Sequence, residues 1–362
     1  MRSVLAAVLL LTAISAALPA GPGAPGAGPV VASNPATDTS AGDPAGVLVA
    51  IPGSREPAPP FVIDRPGSYR LEGNRLCQED GIRVNADDVT IDLGGFSLTG
   101  PDSGESVGIR LNSRRNIEIR NGTIRDFGKR GIHEKNDSLT AAGKRILDVR
   151  VISNGSCGIC LGGSGNLVRG CFVEGNGGTG TCSGGLIEGN VYLNNETGGI
   201  AAGDGARVVG NTISATRKTG IFARSGCTIQ NNVVSNADNS GIYAEFGCLI
   251  EGNVVSASNR ANVDGYAGVK VMGDCIVRGN TARGNWQANF YFLRSGNTVE
   301  GNLATAPADT LGDGFRFRMK ENHFAGNQAS GNRTDFAGEV PAGPAASGNI
   351  SLPHREPAPV NP

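Results

Sequence analysis

From about Phe61 onward, apolar and polar residues alternate in short bursts, each closed by glycine or asparagine. Alternation with a period of two predicts strands that bury one face, and no run carries the 3.6-residue period of an amphipathic helix. The bursts also repeat. GIAAGDGARVVGNTI, GIFARSGCTIQNNVV and GIYAEFGCLIEGNVV begin at Gly199, Gly220 and Gly241, a period of 21 residues. GVKVMGDCIVRGNTA follows at Gly268 after a longer connection, and the frame extends backward through Gly158, Gly131, Gly108 and Gly81. Asparagines at the end of each unit form a series, Asn190, Asn211, Asn232, Asn253, Asn280, Asn302 and Asn322. A second, less complete series lies five residues later, at Asn176, Asn195, Asn285 and Asn327.

A unit of this length holds three short strands and returns the chain one strand spacing above its start. The expected fold is therefore all-β, a single-stranded right-handed parallel β-helix of about 10–11 coils, roughly 50 Å long at ~4.8 Å per coil. Within one unit Ile221, Ala223, Cys227 and Ile229 would face in, and Phe222 and Arg224 out. Asparagine at a corner tolerates left-handed backbone and can bond to its copy in the next coil. Glycine before the isoleucine supplies the other bend. Phe61–Asn74 reads as the N-terminal cap, because an open solenoid end exposes strand edges.

Composition sets the surroundings of this domain. Met1–Ala20 reads as a secretory signal, with Arg2 ahead of a short apolar run and small residues at its end. Residues 21–60 are Gly/Pro/Ala-rich and are expected to be a disordered leader, 61–338 the β-helix, and 339–362 a flexible tail. The expected location is secreted or periplasmic, with no membrane span. A formal net charge of −1 argues against nucleic acid as a partner.

The unit G-I-x-x-x-x-G-x-x-I-x-x-N-x-[VI], with PGSYRLEGN and VTIDLGGFSLTG ahead of it, resembles the right-handed parallel β-helix repeat proteins of the pectin-lyase-like superfamily. The resemblance covers about Phe61–Asn332. It implies secreted bacterial relatives and a working surface on the strand that begins at each Gly-Ile pair. Carried over by repeat position, the outward residues are Arg83, Asn85, Arg110, Asn112, His133, Lys135, Phe222, Arg224, Tyr243, Glu245 and Lys270. Phe292 and Arg294 join them if the next coil keeps the frame. The middle coils contribute only small groups such as Gly180, Ala201 and Gly203, so the groove has a bare floor and is basic at both ends. The Asp-Pro-His-Asp signature of alginate epimerases is absent, as are the clustered aspartates and Gly-His-Gly of polygalacturonases.

The chemistry these residue types suggest is binding of an acidic polysaccharide, with β-elimination as the reaction. Elimination needs the uronate carboxylate neutralised, a base for the adjacent proton and an acid for the leaving oxygen. Arg224 and Arg294 would neutralise, Lys270 act as base, Tyr243 as acid, and Glu245 would orient. Arg83, Arg110, His133, Lys135, Phe222 and Phe292 would contact substrate. Hydrolysis would need two opposed carboxylates, and Glu245 has no acidic partner on that face. The rival reading is a non-catalytic envelope or adhesion protein with the same scaffold.

Among the eight cysteines, Cys227, Cys248 and Cys275 share one inward repeat position and should stack as core residues. Cys157, Cys160, Cys171 and Cys182 gather in two neighbouring coils, where one disulfide, Cys160–Cys182, suits a secreted chain. The spacing after Cys157–Cys160 is irregular for a metal site, and calcium has no clear ligand cluster, so no cofactor is expected.

Overall fold

The computed structural model describes residues 48–134, 141–307, 312–342 and 347–352. The signal segment, most of the leader, the end of the tail and Lys135 lie outside the described residues. Every pairing is parallel, and the strands form three stacks. One is a sheet of 13 strands running from Phe61–Ile63 through Ile82–Val84 to Phe336–Gly338, which sets the height at about 13 coils rather than 10–11. The other two stacks merge into a 25-stranded sheet, because Ile117–Arg125 and Arg145–Ile152 bend and serve both. Strands Leu48–Ile51 and Ser54–Ala58 pair with Gly67–Leu71 and Arg75–Cys77, so β-structure begins inside the stretch expected to be leader. At the other end Ile350–Leu352 pairs with Gln328–Ser330, inside the expected tail.

The interior is an aliphatic column. Ile200, Ile221, Ile242 and Val269 stack in register on one wall, and Val208, Ile229, Ile250 and Val277 on another, all essentially without solvent exposure. Cys227, Cys248 and Cys275 form the expected inward ladder, each thiol donating to a backbone carbonyl at 3.0–3.1 Å. Toward the C-terminus the column widens into aromatic packing. Phe290 stacks on Phe315, and Phe292 on Phe317, with ring centroids 4.8 and 4.7 Å apart.

The asparagines hold the coils in register. In the longest ladder each Nδ2 donates to the Oδ1 of the next coil, from Asn190 through Asn211, Asn232, Asn253, Asn280, Asn302 and Asn327 to Asn349. The last coils of this ladder differ from the sequence-based series. Asn322 bonds instead to Asn297 in a separate corner, and Asn327 belongs to the first ladder. The second corner runs Asn154–Asn176–Asn195, and further up Asn285 bonds to Asn289 and Asn289 to Asn332.

Ladder asparagines are not the left-handed residues. The residue before them is: Gly210 (φ 64°), Asn231 (φ 55°), Gly252 (φ 65°), Gly279 (φ 62°) and Gly301 (φ 61°) turn the chain, and the following asparagine points inward. The glycine of each Gly-Ile pair has a different cause from the expected bend. A Cβ on Gly220 would sit 2.5 Å from Val234 Cγ1 and 2.6 Å from the Gly241 oxygen, so the requirement is close approach.

One buried ion pair interrupts the aliphatic column. Glu134 takes the inward position above Leu111, and its Oε2 lies 2.7 Å from Lys144 Nζ, both side chains essentially solvent-free. Lys144 Nζ also donates to the Gly162 carbonyl at 3.0 Å, and Glu134 Oε1 accepts the Ser113 amide.

Two outcomes follow for stability. Asn232→Ala removes the side-chain donor to the Asn253 oxygen and to the Val208 and Gln230 carbonyls, and the acceptor of the Asn211 backbone and side-chain amides, and should cost about 2–3 kcal/mol. A shift of the chemical denaturation midpoint measures it, and an unchanged midpoint would show the ladder to be dispensable. Lys144→Met leaves the buried Glu134 carboxyl without its partner and should cost about 3–5 kcal/mol, whereas Glu134→Leu with Lys144→Met should recover most of that loss. The same unfolding experiment on the single and double variants separates these outcomes.

Candidate functional site

The outward face of the 13-stranded sheet carries one side chain per coil in strict register. Arg83 lies beside Arg110, Arg110 beside His133, His133 beside Cys160, and Cys160 beside Cys182. The line continues through Ala201, Phe222, Tyr243, Lys270, Tyr291 and Arg316. Arg83, Arg110, His133, Phe222, Tyr243 and Lys270 thus share one surface. Lys135 lies outside the described residues.

Phe292 does not belong to this face. It pairs with Val271 and is buried, while Tyr291 takes the outward place beside Lys270. The coil lacks the Gly-Ile pair, with Asn289 where the glycine would stand, and a frame set one residue late exchanges inside for outside. The recurrence of N-F-Y-F at Asn289 and G-F-R-F at Gly314 was the available signal. Arg294 is exposed beyond the end of its strand, in the turn that follows. The floor is not bare either, since Cys160 and Cys182 take the outward places in the middle coils and Gly180 lies in the interior packing, where a Cβ would meet the Tyr192 ring at 2.6 Å.

Electrostatically the two ends differ, contrary to the expectation that both are basic. At the N-terminal end Asp80 is buried and accepts from Arg83 Nε at 2.8 Å, Arg110 Nε at 2.7 Å, Arg110 Nη2 at 2.9 Å and the Val107 amide at 2.9 Å. Burial alone would raise its pKa, but these donors, Arg110 foremost, hold it below the ordinary carboxylate value. Arg83 is also tied to Glu79 at 2.6 Å. The cavity here, about 480 Å³, is lined by Glu79, Asp80 and Glu105 against Arg83 and Arg110, so its charge is largely compensated.

His133 is half-buried, and its ring nitrogens lie 2.7 and 3.2 Å from Arg130 Nη1. Burial, then the charges of Arg130, Arg110 and Lys129, push its pKa down to about 4, so it is neutral at physiological pH and accepts rather than repels the guanidinium.

The second half of the face is aromatic and cationic. Phe222 and Tyr243 meet edge-to-face with centroids 5.5 Å apart. Lys270 Nζ stands 4.7 Å from the Tyr243 ring centre and 5.1 Å from that of Tyr266. Arg316 lies over the Tyr291 ring at 5.6 Å while bonded to Asp313 at 2.7 Å and, more loosely, to Asp264 at 3.3 Å. Among the described residues Lys270 has no carboxylate within ion-pair distance. Its partial burial lowers its pKa, and burial followed by Glu245 raises that of Tyr243. Arg224 is largely exposed, 4.0 Å from Asp204. It helps line a groove of about 660 Å³ with Phe222, Cys160 and Cys182.

Asp87, Asp88 and Asp92 do structural work at the first coils. They accept respectively from the Arg115 amide, the Asn116 amide side chain and the Gly94 amide. All eight cysteines are free, so Cys160 and Cys182 are register neighbours without a bond. Among the described residues no helix is long and apolar enough to cross a membrane.

No curated protein sequence matches the chain. Among solved structures it is similar to two modules from Azotobacter vinelandii. One is the A-module of mannuronan C-5 epimerase AlgE6, at 16% identity over 84% of this chain and 89% of that one with a TM-score of 0.45. The other is the A-module of AlgE4, at 13% over 86% and 87% with a TM-score of 0.49. A third is the catalytic unit of the GH87 α-1,3-glucanase from Streptomyces thermodiastaticus, at 13% over 84% and 63% with a TM-score of 0.47. At such identities the likeness is one of fold. The sequence family described as the right handed beta helix region matches residues 80–228 and 223–340, almost the whole solenoid. The chain is therefore a member of the right-handed β-helix family, as its Gly-Ile units imply.

Proposed function

We propose that this protein is exported and binds an acidic polysaccharide along the outward Gly-Ile face, with the glycan lying across the coils from Phe222 to Arg316. The observation that carries this reading is the unbroken run Phe222–Tyr243–Lys270–Tyr291–Arg316, one residue per coil on a common surface. Aromatic rings offer flat apolar area to sugar faces while their edges stay wet. Lys270, which has no carboxylate partner among the described residues, supplies the positive charge a uronate would neutralise. Arg83 and Arg110, already paired with Asp80, contribute shape more than charge.

Cleavage by β-elimination is the finer reading. Tyr243 and Lys270 are register neighbours, so an acid and a base would reach the same sugar ring. Their shifts run in the useful directions. A lysine with a lowered pKa is more readily the free base, and a tyrosine with a raised pKa keeps its proton for the leaving oxygen. Arg224 and Glu245 flank the pair from the ends of their strands. Non-catalytic binding has its own support, because Lys270 rests beside two aromatic rings and no carboxylate among the described residues orients it.

Purified protein mixed with pectate, alginate or glycosaminoglycans should show salt-sensitive binding to at least one of them. Tyr243→Ala or Tyr291→Ala should weaken it about tenfold, equivalent to about 1.4 kcal/mol. Equal binding by both variants and wild type would remove the aromatic face from the account. Absorbance of the unsaturated product tests cleavage. Activity that disappears in Lys270→Ala and Tyr243→Phe supports elimination, and a flat trace with binding retained leaves a binding protein.

The pH dependences of the two readings have opposite signs. Lys270 is charged below its lowered pKa, so binding of an acidic glycan should fade as pH rises through that value. Elimination should instead accelerate over the same range, since the base form carries it. Binding isotherms and initial rates across the alkaline range distinguish them.

A further inference from the structure

The middle of the same face holds three thiols that neither the core nor the proposed glycan surface uses. Cys160 and Cys182 project outward from adjacent coils, and Cys157 reaches them from the turn before its strand. Among the described residues they are the one group of His, Cys, Asp or Glu side chains whose ligand atoms all lie within 4.8 Å of one another. We propose that Cys157, Cys160 and Cys182 bind a single thiophilic d10 metal ion, zinc(II) or copper(I), at the rim of the groove.

Geometry favours a metal over a disulfide. Three sulfurs bound to one ion at about 2.3 Å lie roughly 3.8 Å apart in a tetrahedral arrangement. Cys157 Sγ and Cys182 Sγ are 3.9 Å apart, so an ion between the three requires only small rotamer adjustments. A disulfide needs an S–S distance of about 2.05 Å and a Cβ separation near 3.8 Å. Register neighbours such as Cys160 and Cys182 keep their backbones about 4.8 Å apart with side chains parallel, which works against that bond. Pairing any two would also leave the third thiol alone.

Chemistry points the same way. The core thiols of Cys227, Cys248 and Cys275 each donate to a carbonyl, whereas Cys157 and Cys182 face each other, with the Thr179 backbone also in hydrogen-bond reach of Cys157. Soft thiolates select zinc or copper(I) over calcium or magnesium. Arg130 places its charge beside Cys157. Arg130 has a buried Nε without a partner, so a thiolate cluster of net negative charge has a counterion in place. Binding displaces the three thiol protons to solvent. His133 lies beside Cys160 on the preceding coil. Cys160 and Cys182 line the cavity that reaches Phe222 and Arg224, so the ion would lie beside the glycan surface.

The test uses the full-length protein, reduced and handled without oxygen, titrated with zinc(II) or with copper(I) against a chromophoric chelator. One equivalent of either ion should bind tightly, and cobalt(II) in its place should give sulfur-to-metal charge-transfer absorption. Cys157→Ser, Cys160→Ser and Cys182→Ser should each weaken binding by 100-fold or more, since even partners outside the coordination sphere cost about 10–100-fold. Cys248→Ser, in the core ladder, should leave affinity and stoichiometry unchanged, and circular dichroism confirms the fold of each variant. Two results would overturn the proposal. One is metal uptake no different in the three groove variants from wild type. The other is protein whose native mass and thiol count show one groove disulfide and which takes up neither ion even after reduction.

Discussion

The architecture depends on the asparagine corner. An aliphatic column closed by three short strands per coil has nothing in its apolar contacts to fix how one coil sits on the next. Burial of Ile or Val is almost equally favourable after a small slide. A buried amide is different. It costs free energy wherever its donors and acceptors are unmet, so Asn232 has a low energy only when Asn211 lies below it and Asn253 above it. Repeated from Asn190 to Asn349, that condition locks the register of the whole upper solenoid. The glycine preceding most of these asparagines supplies the left-handed turn that aims the amide inward.

Register is what turns a repeating scaffold into a site. Residues separated by 21 or 27 positions become neighbours at one strand spacing, as with Phe222 and Tyr243, then Tyr243 and Lys270. No single loop or motif holds the face. Its chemistry is the column of outward residues read up the stack, arginine first, then thiol, then aromatic and cationic. This also explains why the charge of the N-terminal arginines is largely compensated. Asp80, buried between them, draws both guanidinium groups onto itself and the cluster becomes a clamp between coils.

The Gly-Ile pairs and their period were enough to read the fold and to place His133, Phe222, Tyr243 and Lys270 on one surface. What escaped the sequence has a common origin. Where a coil lacks glycine, as at Asn289, alternation alone does not say which of Tyr291 and Phe292 faces out, and the reading slipped by one. The aromatic core that settles it is visible only once Phe290 and Phe292 stack on Phe315 and Phe317. Asn322 and Asn327 fall outside their expected series for a similar reason, because both stand just ahead of a short strand and only the three-dimensional corner distinguishes them. Glu134 and Lys144 gave no signal, since an inward glutamate violates the alternation and its partner arrives from another stack. The thiol cluster was legible as a concentration of cysteines, but its convergence needed the turn at Cys157.

The central claim is that Phe222, Tyr243, Lys270, Tyr291 and Arg316 form one continuous ligand surface. A crystal structure of the protein with a bound uronate oligosaccharide tests it most directly. The account predicts sugar rings over Tyr243 and Tyr291 with a carboxylate at Lys270 Nζ. An oligosaccharide seated on either of the other two sheet stacks, with this face empty, would contradict it.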